Sequence, residues 1–260
     1  MTIPCPTYIE RGSAEPALVF LHGIGSDQES FVHQLDHFAG RRRCLSWTMP
    51  GYGASPPLGD LTFDALADAV AVMLDDAGLE RVILVGHSMG GMIGQTFAVR
   101  HADRLTALVA SCTSAAFGSA DGSFQEKFLA SRLKPLDEGK TPADLAPDLV
   151  SAMLGADAPE AARDNAMRSM RAITAEAYRE VLHCLVTFNG RDDLGAIACP
   201  TLVLAAERDT TAPPKGMKRM ADAIPNATYA EIPRAGHLAN LETPDGFNAA
   251  IDAFLRDLEA

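Results

Sequence analysis

A chain of 260 residues with 47% hydrophobic and 22% charged residues can bury a core and has the composition of a globular domain. Its formal charge of −12 argues against nucleic acid or an anionic membrane as partner, because phosphate binding rests on lysine and arginine. The five cysteines, Cys5, Cys44, Cys112, Cys184 and Cys199, are odd in number and free of CxxC or Cys/His ligand spacing, which indicates buried thiols rather than disulfides or a zinc site. MTIPCPTYIERG has neither a basic start nor an apolar stretch, so a cytoplasmic location is expected.

In chain order, Tyr8 to Arg11 is a short extended segment ahead of the first long strand, ALVFLHG (17–23), and RCLSWTMPG (43–51) is the next. Thr62 then caps a helix whose Phe63, Leu66, Val70, Met73 and Leu74 form one stripe, with Gly78 beyond its end. RVILVGHS (81–88) and LTALVASCT (105–113) follow as strands. From Ala115 to Leu194 the strand signal disappears. Helical patterns run over Pro142 to Leu154, Pro159 to Ile173 and Thr174 to Phe188, and Met153, Met167 and Met170 are expected in their core. PTLVLAAERD (200–209) and ATYAEIPRAGH (227–237) resume the strands, and Thr243 with Pro244 opens the last helix. Nearly continuous apolar runs alternating with amphipathic helices predict an α/β fold, with a mostly parallel, doubly wound sheet of seven or eight strands. Its core would be residues 1–114 and 195–260, and 115–194 an inserted helical cap.

The chemistry centres on Gly86-His87-Ser88-Met89-Gly90, a G-x-S-x-G pentapeptide between the apolar strand VILV and a helical pattern. That is the context of a nucleophile elbow, where the turn is so tight that glycine is needed two residues before and two after the serine. A serine hydroxyl needs a base, itself oriented by a third group. His87 adjoins Ser88 in sequence, but the elbow throws neighbouring side chains apart. Loops at the carboxyl ends of a doubly wound sheet converge on one edge. Two such loops carry candidates, Glu207-Arg208-Asp209 and Gly236-His237. His237 is expected as the base and Asp209 as the acid, with Glu207 its nearest rival. His33, His37, His101 and His183 fall in helical or helix-end patterns and read as surface or packing residues. His22 follows a strand and reads as a partner for backbone in its loop. The oxyanion of acyl transfer would be held by the Met89 and Ile24 amides, at the start of the helix and in the loop after LVFLHG. This chemistry calls for no metal or other cofactor.

HGIGSD, MPGYGAS, GHSMGG, AAERDTTAPP and GHLANLETP resemble the successive motifs of the α/β-hydrolase superfamily. Within it, the chain length, the helical insertion and RHADRLTALVASCTSAAFG resemble 3-oxoadipate enol-lactonases and related small esterases. The resemblance implies Ser88, Asp209 and His237 as the triad and a small ester or lactone as substrate. Thr48 departs from the aspartate that family members usually carry before the G-x-G-x-S loop. Ser88 excludes the dehalogenases and epoxide hydrolases of this fold, which attack with aspartate. A carbon-carbon bond hydrolase and a ligand receptor on a hydrolase scaffold are the alternatives. An enol-lactone substrate would carry a carboxylate needing a buried cation. Of Arg132, Lys134, Arg163, Arg168, Arg171 and Arg179, the choice falls on Arg168 and Arg171, beside Met167, Met170 and Ile173.

Overall fold

The computed structural model describes residues 3–259. Strands β1 (Tyr8–Arg11), β2 (Ala17–Leu21), β3 (Cys44–Trp47), β4 (Val82–His87), β5 (Leu105–Ser111), β6 (Thr201–Ala206) and β7 (Ala227–Ile232) form one sheet in the order β1-β3-β2-β4-β5-β6-β7. β1 runs antiparallel to β3, and every other pairing is parallel. The sheet therefore has seven strands, with Tyr8–Arg11 as its antiparallel edge.

Side chains alternate across the sheet, yet both faces are covered, which is why the strands read as unbroken apolar runs. Leu18, Phe20, Ile83, Val85 and Val109 pack beneath α1 (Val32–Phe38) and α10 (Pro244–Glu259). Val19, Leu21, Leu84, Leu108 and Val203 pack beneath α2 (Phe63–Asp76), α3 (Met89–Arg100) and α8 (Pro214–Ala223). The Thr62 hydroxyl accepts the Ala65 amide at 3.1 Å and caps α2, a contact worth about 1 kcal/mol. All five predicted stripe residues of α2 are buried.

Between β5 and β6 lie four helices: α4 (Ser123–Asp137), α5 (Pro142–Met153), α6 (Glu160–Arg171) and α7 (Ala175–Leu185). Sequence periodicity places the last three within two or three residues at each end. α8 is an addition to that reading, and α1 and α4 are helices for which it gave no bounds. Only Leu136 of α4 is fully buried, and α8 buries just Met217, Met220 and Ala221, so neither carries a long apolar stripe. The short helix α9 (Ala239–Glu242) follows the predicted histidine loop. The strands after β1 all end sooner than the apolar runs suggest, β3 and β7 by the most: β3 stops before the Pro50-Gly51 turn, and β7 at Ile232. Among the described residues no helix is long and apolar enough to cross a membrane. All five cysteines are free; Cys44, Cys112 and Cys184 are buried, whereas Cys5 and Cys199 are only half-buried.

The chain passes from β2 to β3 on one side, then returns to place β4 on the other side of β2. The crevice at such a reversal is where ligands of open α/β sheets bind. Leu21 pairs with Gly86, and Gly86 with Ala110, so the carboxyl ends of β2, β4 and β5 are level and their loops meet.

Candidate active site

β4 ends at His87 and α3 begins at Met89, which leaves Ser88 alone to turn the chain. It does so at φ 55° and ψ −121°, a region costing a non-glycine residue about 1–3 kcal/mol. A Cβ on Gly86 would lie 2.3 Å from the Gly90 carbonyl oxygen, and one on Gly90 2.0 Å from that of Leu21, so glycine is required on both sides of the turn. The strain is held by a surrounding net of bonds. Ser88 N–H donates to Ser111 O at 2.9 Å, and Ser88 O accepts the Gly91 amide at 2.9 Å and the Thr113 hydroxyl at 2.7 Å.

His237 Nε2 lies 2.9 Å from Ser88 Oγ, and His237 Nδ1 lies 2.8 Å from Asp209 Oδ2. Both His237 and Asp209 are buried. Burial alone would raise the Asp209 carboxyl, but the His237 ring beside it and the amides of Ala212 and Thr211 prevail and hold it below the usual carboxylate range. An ionised carboxylate only accepts, so Nδ1 carries the imidazole proton and Nε2 is left to accept from the serine hydroxyl. Glu207 is elsewhere: it is exposed and accepts the Arg234 amide at 2.6 Å.

Ile24 lines the cavity in front of Ser88, and among the described residues its amide meets no protein acceptor. Met89 is the first residue of α3, where helical amides have no partner within the helix. Among the described residues neither amide has a protein acceptor.

The remaining histidines behave in four ways. His22 Nδ1 lies 2.8 Å from the Gly23 carbonyl and its Nε2 accepts the Met49 amide at 3.0 Å, the backbone-bracing part expected of it. Burial pushes it down to about 4. His37 and His101 face Asp252 and Asp68, and His33 and His183 are exposed. His87 is buried with its ring 5.3 Å from that of His237, has Nδ1 3.4 Å from Ser111 Oγ, and is pushed down to about 3 by burial and by His237. Thr48 donates its hydroxyl to Gln28 Oε1 at 2.9 Å.

Sequence reasoning missed Glu242. Buried in α9, this carboxylate accepts the amides of Gly236 and Leu238, which flank His237, and the amide of Gly155 in the α5–α6 loop. The His237 amide in turn donates to Met153 O at 2.8 Å. An acid five residues after a histidine carries no recognisable spacing signal; only the folded loop brings its oxygens to three amides.

The cavity over Ser88 has a volume of about 170 Å³. Each of the four helices contributes to its wall, including Phe128 from α4, Leu149 from α5, Met170 from α6 and Tyr178 from α7. Met170 is buried in the core as expected and also lines the cavity, whereas Met153, only partly buried, lines it too, and Met167 is partly buried against the core. Arg168 and Arg171 do not reach it. Arg168 bonds to Asp27 at 2.6 and 3.1 Å, and Arg171 is exposed. Successive helical residues turn about 100°, so with Met170 facing inward Arg168 is carried to the far side of α6. Among the described residues, Arg132 of α4 is the one arginine or lysine lining this cavity. Among the same residues no cluster of three His, Cys, Asp or Glu side chains is placed to hold a metal ion.

A family profile described as alpha/beta hydrolase fold matches residues 16–244. The 3-oxoadipate enol-lactonase 2 of Acinetobacter baylyi is 26% identical over 254 residues, which cover 96% of this chain and 92% of that protein. The pimeloyl-[acyl-carrier protein] methyl ester esterase of Chromobacterium violaceum is 27% identical over 250 residues, covering 94% and 96%. The structure of a thermophilic esterase from Thermogutta terrifontis superimposes with a TM-score of 0.86 at 26% identity, over 98% of this chain and 94% of that one.

Proposed function

The chain belongs to the alpha/beta hydrolase fold family, and from that premise we propose that it is a serine hydrolase of small carboxylic esters or lactones. The observation that carries this reading is the relay from Ser88 Oγ through His237 to Asp209, with contacts of 2.9 and 2.8 Å, opening onto the cavity beneath the four helices.

In this mechanism Ser88 Oγ attacks the carbonyl carbon as its proton passes to His237 Nε2. Asp209 stabilises the imidazolium, and the Ile24 and Met89 amides hold the oxyanion. Collapse of the tetrahedral intermediate breaks the bond to the leaving oxygen, which takes the proton from His237. Water then gives its proton to the same nitrogen, attacks the acyl-enzyme, and the acid departs with Ser88 restored. Residues 115–194 serve as a cap, and a chamber of about 170 Å³ beneath them suits a short acyl group and excludes polymeric esters. The enol-lactonase and esterase names of the relatives support the same substrate class. The test is a rate series over aryl esters of graded acyl length and over small lactones. Multiple turnover on short members supports the reading, and absence of turnover across both series overturns it.

A further inference from the structure

A second, larger cavity of about 1030 Å³ shares walls with the first, Thr113, Phe117, Phe128, Arg132 and Thr211 being among the residues common to both. The inner chamber is smaller than the roughly 300–1,000 Å³ of an ordinary ligand pocket, whereas the outer groove reaches the top of that range. A substrate larger than a short acyl group therefore extends into the groove.

The groove has a distinct charge. Arg132 from α4, Arg191 from the turn after α7 and Arg219 from α8 line it, and no Asp or Glu does among the described residues. That is unexpected in a chain with 34 acidic and 22 basic residues. Several arginines elsewhere meet carboxylates, as Arg100 does with Asp64, Arg104 with Asp75 and Arg179 with Asp137. The Arg132 guanidinium instead lies over the Phe128 ring, 5.3 Å from its centroid, with its donors available. The Thr210–Pro213 loop, which leads into the amino end of α8, forms another wall and adds the positive end of that helix's dipole.

We propose that this groove is a subsite for an anionic arm of the substrate, a carboxylate or phosphate carried beyond the scissile ester and held by Arg132, Arg191 and Arg219. The proposal rests on the serine-hydrolase reading and adds the substrate's second recognition element. Guanidinium donors bind both anions through charge-assisted hydrogen bonds, and a local positive field is what allows a chain of net charge −12 to attract an anion at all.

The test compares 4-nitrophenyl hexanoate with two analogues bearing a terminal carboxylate or a terminal phosphate on the same chain. The expected result is a kcat/KM at least about tenfold higher for one or both charged esters at low salt, shrinking as salt screens the groove. The stronger of the two identifies which anion the arm carries. The ratio of charged to neutral rates should fall in R132Q, R191Q and R219Q and approach one in the triple variant. Because the ratio is taken within each protein, partial loss of folded enzyme cancels. A wild-type ratio of one or less for both anions, or an unchanged ratio in the triple variant, overturns the subsite while hydrolysis of the neutral ester leaves the serine reading standing. Failure to cleave any of the three esters removes both.

Discussion

Glu242 fastens Gly155 to the histidine loop: one carboxylate oxygen accepts the Gly155 amide at 2.9 Å and the Gly236 amide at 3.0 Å, while the other accepts Leu238 at 3.0 Å. The roof of the cavity and the base of the relay are thereby set by one buried side chain. Glu242→Ala strands these amides, and each unsatisfied buried donor costs about 1–3 kcal/mol. We expect thermal unfolding to drop by roughly 5–10 °C and kcat to fall more than KM rises. Glu242→Gln should be intermediate, because an amide side chain keeps one acceptor oxygen. Wild-type melting and turnover in Glu242→Ala would show that the loop is held by other contacts.

The acid of the relay is open to a direct comparison. Asp209→Asn should lower kcat by about 10⁴, since a carboxamide no longer enforces the imidazole tautomer that leaves Nε2 as acceptor. Glu207→Gln should change the rate little, because Glu207 bonds only to the Arg234 amide. Steady-state rates with the order reversed would move the acid to Glu207.

Stability should fall as pH drops from 7 towards 4. Burial holds the folded-state values of His22 and His87 down to about 4 and about 3, against about 6.5 in an unfolded chain. Between those limits the unfolded state binds more protons, so each histidine removes about 1.4 kcal/mol of stability per pH unit as the solution becomes more acidic. The depressed Asp209 carboxyl has the opposite window: its contribution is present above about 3.9 and is lost only below that. Denaturant unfolding at pH 7, 6 and 5 should show the slope, and His87→Asn should roughly halve it. A flat profile, or an unchanged slope in that variant, contradicts the prediction.

Much of this was legible in the chain because it depends on local rules. The strand cores announced themselves as apolar runs, α2 by its stripe and its Thr62 cap, and the elbow by Gly86 and Gly90 around Ser88. His237 and Asp209 stood in loops that a doubly wound sheet brings to one edge, and the structure places them in hydrogen-bond contact. What was not legible depends on which way a helix faces. Arg168 and Arg171 adjoin the apolar Met170, yet two residues of helical rotation send Arg168 to Asp27, and Arg132 on another helix lines the cavity instead. Glu242 was invisible for a related reason: its partners are backbone amides, which leave no trace in residue type.

Hydrolysis through this relay requires Ser88 to become covalently acylated. The most direct measurement is intact mass followed by peptide mapping after brief exposure to an activated short-acyl ester or a fluorophosphonate. A single adduct on Ser88 is expected in the wild-type chain, with no adduct in Ser88→Ala and hydrolysis in that variant reduced by several powers of ten with the fold intact. An adduct on another residue, or a Ser88→Ala variant that keeps more than a few per cent of wild-type turnover, would contradict it.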